Sequence, residues 1–235
     1  MSRSIEELLL GNSYPGRGII IGCSGDGKRT VIVYFIMGRS ENSRYRIFER
    51  TDDGIRTAAY DPAKLTDPSL VIYHPLRRFE DTTIITNGDQ TDTILDFFQQ
   101  GHSYYTALRT REFEPDAPNY TPRISGIAWP CGSYALSILK SIESSSTCCQ
   151  RSFFEYTGNT PGLGHFISTY EKDGDPLPSF LGEPIPVKVN DSFGLEAFSL
   201  DIWNALDESN KVSLYARERD LMTGEVNDLI INKHI

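Results

Sequence analysis

Two apolar runs sit close together near the start of the chain, in "GIIIGCSGDGKRTVIVYFIMG", and Ser24-Gly25-Asp26-Gly27-Lys28 separates them. The residues are β-branched and the break is turn-rich, which predicts a β-hairpin. Apolar residues occupy successive positions instead of alternating, so both faces of both strands should be buried. A sheet covered by another sheet on one side and by helices on the other would achieve that. Further strands are predicted in "RYRIFER" over Tyr45–Arg50, and near Val71–Tyr73 and Thr82–Thr86 in "SLVIYHPLRRFEDTTIIT". "PRISGIAW", "GSYALSILKSI", "HFISTYE" and "VSLYARERD" predict four more, the second of them ambiguous with helix. Period-3.6 patterns predict a short amphipathic helix over 4–10, stopped by Gly11. A second helix, over 91–100, puts Ile94, Leu95 and Phe98 on one face and has Gly101 as its stop. Others are predicted in "SYYTALRTREF" and "FGLEAFSLDIWNAL", while "DGDPLPSFLGEPIPV" reads as an extended loop. Strands and helices come in blocks, which favours an α+β class with antiparallel sheets and outer helices. No linker or repeat divides the chain, so residues 1–235 are expected to form one domain.

Composition narrows the functions. Lys+Arg 23 against Asp+Glu 32 leaves a net charge of −9, which repels polyanions and argues against nucleic-acid partners. One small anionic ligand remains compatible, because it needs only a local arginine cluster. No apolar run approaches the roughly 20 residues of a membrane helix, and the N-terminus does not read as a signal peptide. A cytoplasmic protein is expected, without a membrane partner. Cys23, Cys131, Cys148 and Cys149 show no zinc or CxxC spacing and read as free thiols. His74, His102, His165 and His234 show no metal spacing either, so no metal is expected. "GCSGDGKRT" imitates a P-loop, but Arg29 stands where Ser or Thr is needed, and a strand follows where a helix should. "GLGHFI" lacks the third glycine of a dinucleotide fingerprint.

The candidate chemistry lies in polar residues at strand ends. Arg17 stands between Gly16 and Gly18, which let the backbone approach another group closely. Arg39 and Arg44 lie in "GRSENSRYR", and Arg123 in "NYTPRI". A guanidinium presents a planar fork of donors that suits phosphate, although a solvated surface role is the ordinary one. Glu114 and Asp116 in "FEPDAPNYTPRI", stiffened by Pro115 and Pro118, suit acid–base work or loop ion pairs. "TNGDQTDTI" places Asp89 or Thr91 to cap the following helix and Asp92 in its first turn. Asn87, at the strand end, faces the kind of crevice in which polar ligands settle.

Taken in order, "GRG", "GRSENSR", Tyr73, "NGDQTDTI", the acidic pair before "TPRI", and "FISTYE" resemble the archaeal-type IMP cyclohydrolases, from about Tyr14 to Glu171. The resemblance implies a four-layer αββα fold like that of N-terminal-nucleophile hydrolases. It also implies the last step of purine synthesis, in which 5-formamidoimidazole-4-carboxamide ribotide closes to IMP with loss of water. It implies a small nucleotide as ligand, neither metal nor cofactor, and leaves room for a homo-oligomer. By motif, the family's site residues fall on Arg44, Tyr73, Asn87, the pair Glu114 and Asp116 (with one residue inserted before "TPRI"), and Arg123. Glu114 would accept the carboxamide proton. Tyr73 or Asn87 would bond the formyl oxygen. Arg17, Arg44 and Arg123 would hold the phosphate and the carboxamide oxygen. Two rivals stay open: an N-terminal-nucleophile amidohydrolase using Ser2 or Cys23, and a non-catalytic nucleotide-binding paralogue.

Overall fold

In the computed structural model, which describes residues 2–64, 72–189 and 192–234, the two apolar runs form the predicted hairpin. Helix α1 (Ile5–Leu9) leads into β1 (Arg17–Cys23) and β2 (Arg29–Met37). Arg17 pairs with Ile36 and Cys23 with Thr30. Every residue of β1 is buried, as is every residue of β2 after Arg29. The P-loop-like stretch is the hairpin's turn, tied by Ser24 Oγ donating to Asp26 Oδ1 at 2.6 Å.

The one-turn helix α2 (Glu41–Arg44) then opens a second sheet, built in strict chain order from seven strands. These are β3 (Arg46–Thr51), β4 (Gly54–Ala59), β5 (Leu76–Phe79), β6 (Thr82–Thr86), β7 (Arg123–Ala128), β8 (Tyr134–Ser141) and β9 (Cys149–Tyr156). Helices α3 (Gln90–Gln99) and α4 (Tyr104–Arg109) fall between β6 and β7. The chain returns to the first sheet through β10 (Leu163–Ser168) and β11 (Ile185–Lys188). It continues through α5 (Leu195–Ala205), β12 (Lys211–Asp220) and β13 (Val226–Asn232). That sheet runs β11-β10-β1-β2-β12-β13, and all its ladders are antiparallel. The class is α+β with two antiparallel sheets, as expected.

Period-two alternation sorts the buried side chains into separate cores. Ile19, Ile21, Ile32, Tyr34 and Ile36 meet Phe48, Ile55, Leu76, Ile85, Ile124 and Leu136 between the sheets. The opposite faces of β1 and β2, with Ile20, Val33 and Phe35, pack on Ile5 and Leu9 of α1 and on Phe198 and Ile202 of α5. Ile84, Ile127 and Leu139, on the far face of the second sheet, pack on Ile94 and Leu95 of α3 and on Leu108 of α4. Helices therefore cover both outer faces, which accounts for the unbroken apolar runs. Phe35, fully buried under these helices, is expected to cost about 3–5 kcal/mol on replacement by Ala, read as a lower urea midpoint at unchanged slope.

Several expectations need correction. Tyr73 sits in a bend, not a strand, and Val71 lies outside the described residues. Strands β4, β9 and β13 are additional to those predicted. "CQRSFFEY" and "VNDLIIN" are only partly buried and carry no clean alternation, being held by pairing with β8 and β12. Part of the expected Pro/Gly loop forms β11, where Pro186 is tolerated because the strand lies at the sheet edge. "GSYALSILKSI" resolves as strand, because β8 is paired on both sides. Among the described residues no helix is long and apolar enough to cross a membrane, and none of the four cysteines is in a disulfide.

Candidate active site

The entry to β1 is built by close approach. Gly16 has φ +79°, and a Cβ there would lie 2.2 Å from Thr169 Oγ1 and 2.6 Å from the Tyr170 ring. Only glycine lets the chain pass so near. Thr169 Oγ1 accepts from the Arg17 N–H at 3.1 Å. Arg17 shares the inter-sheet face of β1 with Ile19 and Ile21. Its side chain is buried, and its Nε has no partner among the described residues. Burial works against its charge, but Glu114 first, and then Tyr73, Tyr14 and Tyr170, outweigh that and hold the guanidinium well above its ordinary value.

Glu114 is fixed by its backbone N–H to Thr121 O at 2.9 Å, and only 3% of it is exposed. Its carboxylate accepts no hydrogen bond among the described residues. Burial raises its pKa, Arg17 and Arg123 pull it back, and it settles at about 7. Asp116, two residues on, serves the loop instead. It accepts from both the N–H and the hydroxyl of Thr121, whose Oγ1 also meets Tyr170 OH at 2.6 Å.

Tyr73 is pinned to β4: its N–H donates to Thr57 Oγ1 at 2.9 Å, and its carbonyl accepts from the Thr57 N–H at 2.9 Å. Its buried hydroxyl lies 2.8 Å from Tyr34 OH. Burial, then Tyr73, keep the Tyr34 phenol well above its usual value, so it stays a neutral donor.

Asn87 is fully buried, and its amide is committed to protein partners. Nδ2 donates to Pro122 O at 2.9 Å, and Oδ1 accepts from the Ile124 N–H at 2.8 Å and from Gln90 Nε2 at 3.0 Å. It joins the end of β6 to the start of β7 and α3. Asn87→Ala would strand those partners and is expected to destabilise the fold by roughly 2–3 kcal/mol. Thermal melting checks this, and an unchanged midpoint would contradict it.

Gly88 follows. A Cβ there would sit 2.6 Å from Arg123 Nη1, 2.7 Å from Gln90 Oε1 and 3.6 Å from Glu114 Oε1. Glycine thus lets Arg123 and Glu114 close over one spot of backbone. Arg123 donates to Asp89 Oδ1 at 2.6 Å and to Gln90 Oε1 at 2.8 Å. Asp89 occupies the N-cap position of α3 but makes no side-chain cap bond. Its carboxylate goes to Arg123 and Arg111, as arginines within reach bind it more strongly than backbone N–H groups do. Thr91 Oγ1 likewise bonds Thr86 Oγ1 and Gly88 O rather than an N–H, and Asp92 pairs with Arg77. The capping roles expected of Asp89 and Thr91 are therefore replaced by ion pairing and loop bonding.

Arg44 lies elsewhere. It donates to Gly38 O and Asn210 Oδ1, and lines a recess of about 380 Å³ with Glu41, Tyr45, Ser209, Lys211, Lys233 and His234. Arg39 binds Asp173 and covers the Tyr14 ring. In its place, Arg46 joins Arg17 and the tyrosines; burial draws its pKa below the ordinary arginine value, and it senses Tyr73, Arg17, Tyr14 and Tyr34. The alternation of "RYRIFER" contains the signal, because Arg46 shares the inward face with Phe48. The structure thus brings together Arg17, Tyr73, Glu114 and Arg123, with Asn87 and Asp116 as their supports. Ser2 and Cys23 are apart: Arg3 bridges to Val187 at the sheet edge, and Cys23 ends β1 about 20 Å from Arg17. Among the described residues no group of three or more His, Cys, Asp or Glu could hold a metal ion. A buried carboxyl that titrates near neutrality, set among guanidiniums and phenol donors, can move a proton on a polar ligand near pH 7.

A family model described as IMP cyclohydrolase-like protein matches residues 14–224. The IMP cyclohydrolase of Methanothrix thermoacetophila is 29% identical over 118 residues, 48% of this chain and 57% of the relative. The IMP cyclohydrolase of Methanopyrus kandleri is 34% identical over 116 residues, with the same shares. The chain thus spans a little over half the length of the curated relatives it matches.

Proposed function

The chain belongs to the IMP cyclohydrolase-like protein family, and from that premise we propose that it closes 5-formamidoimidazole-4-carboxamide ribotide to IMP, in the cytoplasm. The observation that carries the reading is the Glu114 carboxyl, buried beside Arg17 and Arg123 with a pKa near 7. An amide nitrogen is a poor nucleophile, and ring closure needs a base that can hold and return a proton at neutral pH.

In this mechanism the site holds the carboxamide nitrogen against the formyl carbon, which can supply several kcal/mol, up to about 7–11 in ideal cases. Glu114 takes the nitrogen's proton as the C–N bond forms. Tyr73, set by Thr57 and Tyr34, donates to the formyl oxygen as it gains charge. The protonated Glu114 gives that proton to the oxyanion, making a hydroxyl; ionised again, it takes the remaining proton of the former formamide nitrogen and passes it to the hydroxyl, which breaks from carbon as water while the C=N bond forms. Arg123 holds the α3 entry over Glu114 through Asp89 and Gln90. Asn87 and Asp116 act as positioning residues. Helices on both outer faces of paired antiparallel sheets agree with the N-terminal-nucleophile-hydrolase-like arrangement we assign. The placement of Cys23 at the opposite end of β1 from Arg17, with Arg3 bridged to Val187 at the sheet edge, weighs against amidohydrolase chemistry at Ser2 or Cys23.

The test is direct. Ring closure changes ultraviolet absorbance, so purified protein is mixed with the formamido ribotide and followed spectroscopically. Turnover that depends on Glu114 supports the reading. Tight binding of the ribotide with no absorbance change would instead indicate a nucleotide-binding paralogue.

A further inference from the structure

Arg46 is fully buried, in the interior of a protein of net charge −9. Its Nε donates to Ser43 O at 2.8 Å and its Nη2 to Met37 O at 3.4 Å, so two main-chain carbonyls aim the guanidinium inward. Among the described residues its Nη1 is buried without a partner, as is Arg17 Nε. Neither guanidinium makes an ion pair with a carboxylate of the described residues. The charged and titratable groups that face them are Glu114, on Arg17, and Tyr14, Tyr34, Tyr73 and Tyr170. Among these groups Glu114 is the one carboxyl, and it acts on Arg17.

Buried charge without a counter-charge is costly, and unspent donors add to that cost. A ligand supplying two negative charges and several acceptor oxygens would relieve both at once. A phosphate group does so, and its oxygens match the guanidinium fork. A neutral carbonyl would satisfy a donor but leave the charge.

We propose that Arg46, with Arg17, is the anion-recognising end of this site and makes it selective for a dianionic phosphate monoester. The proposal rests on the reading above only in placing the ligand in the same site. It separates Arg46 from Arg44, which the motif pattern points to and which serves the neighbouring recess. Arg46 is then a specificity residue, contributing to binding more than to the proton transfer.

The experiment is a calorimetric titration of the full chain with sodium sulfate as dianion probe, with sodium nitrate holding ionic strength constant. The wild type is expected to show one saturable sulfate heat that nitrate does not reproduce. Arg46→Met should weaken it about tenfold or more, as loss of a charge-assisted hydrogen bond implies. Arg44→Met should leave it unchanged. No saturable sulfate heat in the wild type overturns the proposal, as does wild-type affinity in a folded Arg46→Met chain, or loss of the heat in Arg44→Met alone. Should Arg46→Met fail to fold, Arg46→Lys takes its place. It is expected to raise KM for the ribotide with kcat little changed, and a fall in kcat at constant KM overturns the proposal. Sulfate binding without ring closure would refute the cyclohydrolase reading while this inference stands. Ring closure without sulfate binding would do the reverse.

Discussion

Glu114→Gln is expected to lower kcat for the formamido ribotide by roughly 10²–10⁴, while the affinity for IMP is retained. The variant keeps the shape of the side chain and removes its ability to hold a proton. The same group predicts the pH profile. A base must be unprotonated to act, so wild-type kcat/KM should rise with pH through about 7 and flatten above it. Stability moves the opposite way. The folded pKa, about 7, lies above the ordinary 4.5, so between these values the native state holds a proton that the unfolded chain has lost. Wild-type stability contributed by this group therefore falls as pH rises from 4.5 to 7. The displacement is worth roughly 3 kcal/mol. Glu114→Gln has no such loss, so its stability relative to wild type should improve by about that much between pH 4.5 and 8. Urea unfolding at both pH values measures this. Wild-type-like turnover in the variant would remove Glu114 from the chemistry, and a pH-independent stability gap would remove the buried titration.

Tyr73→Phe should lower kcat about 10²-fold or more, the usual effect of losing one well-placed donor to a developing oxyanion. The ring remains, so packing survives. The main structural loss is the bond to Tyr34 OH, which leaves a buried hydroxyl unpaired at a cost of roughly 1–3 kcal/mol. Tyr34→Phe is the control. It breaks the same hydroxyl pair but leaves the Tyr73 donor in place, and should reduce kcat far less. Equal losses of kcat in the two variants would assign the effect to the pair's structure rather than to donation by Tyr73.

Much of the architecture was legible because burial on both faces leaves a plain trace. Unbroken β-branched runs in β1 and β2 require cover on two sides, and α1 and α5 provide it on the outer one. Strands such as β9 and β13 were not legible, since their order comes from hydrogen bonds to a neighbour and not from a pattern of their own. At the site, Glu114 could be singled out from its proline-flanked loop, and Arg17 from its flanking glycines.

The sequence by itself determined which faces are apolar, and hence the two antiparallel sheets and their helical covers. It also contains the ordered motifs on which the family resemblance rests. Only the tertiary structure decided which polar side chains meet. Asn87 is spent on Pro122 and Ile124, 35 and 37 residues away, and Asp89 abandons helix capping for Arg111 and Arg123. Arg44 turns outward and Arg46 inward. The physical reason is that periodicity specifies the face a residue occupies, whereas its partner, its burial and its charge state depend on what the fold brings opposite that face.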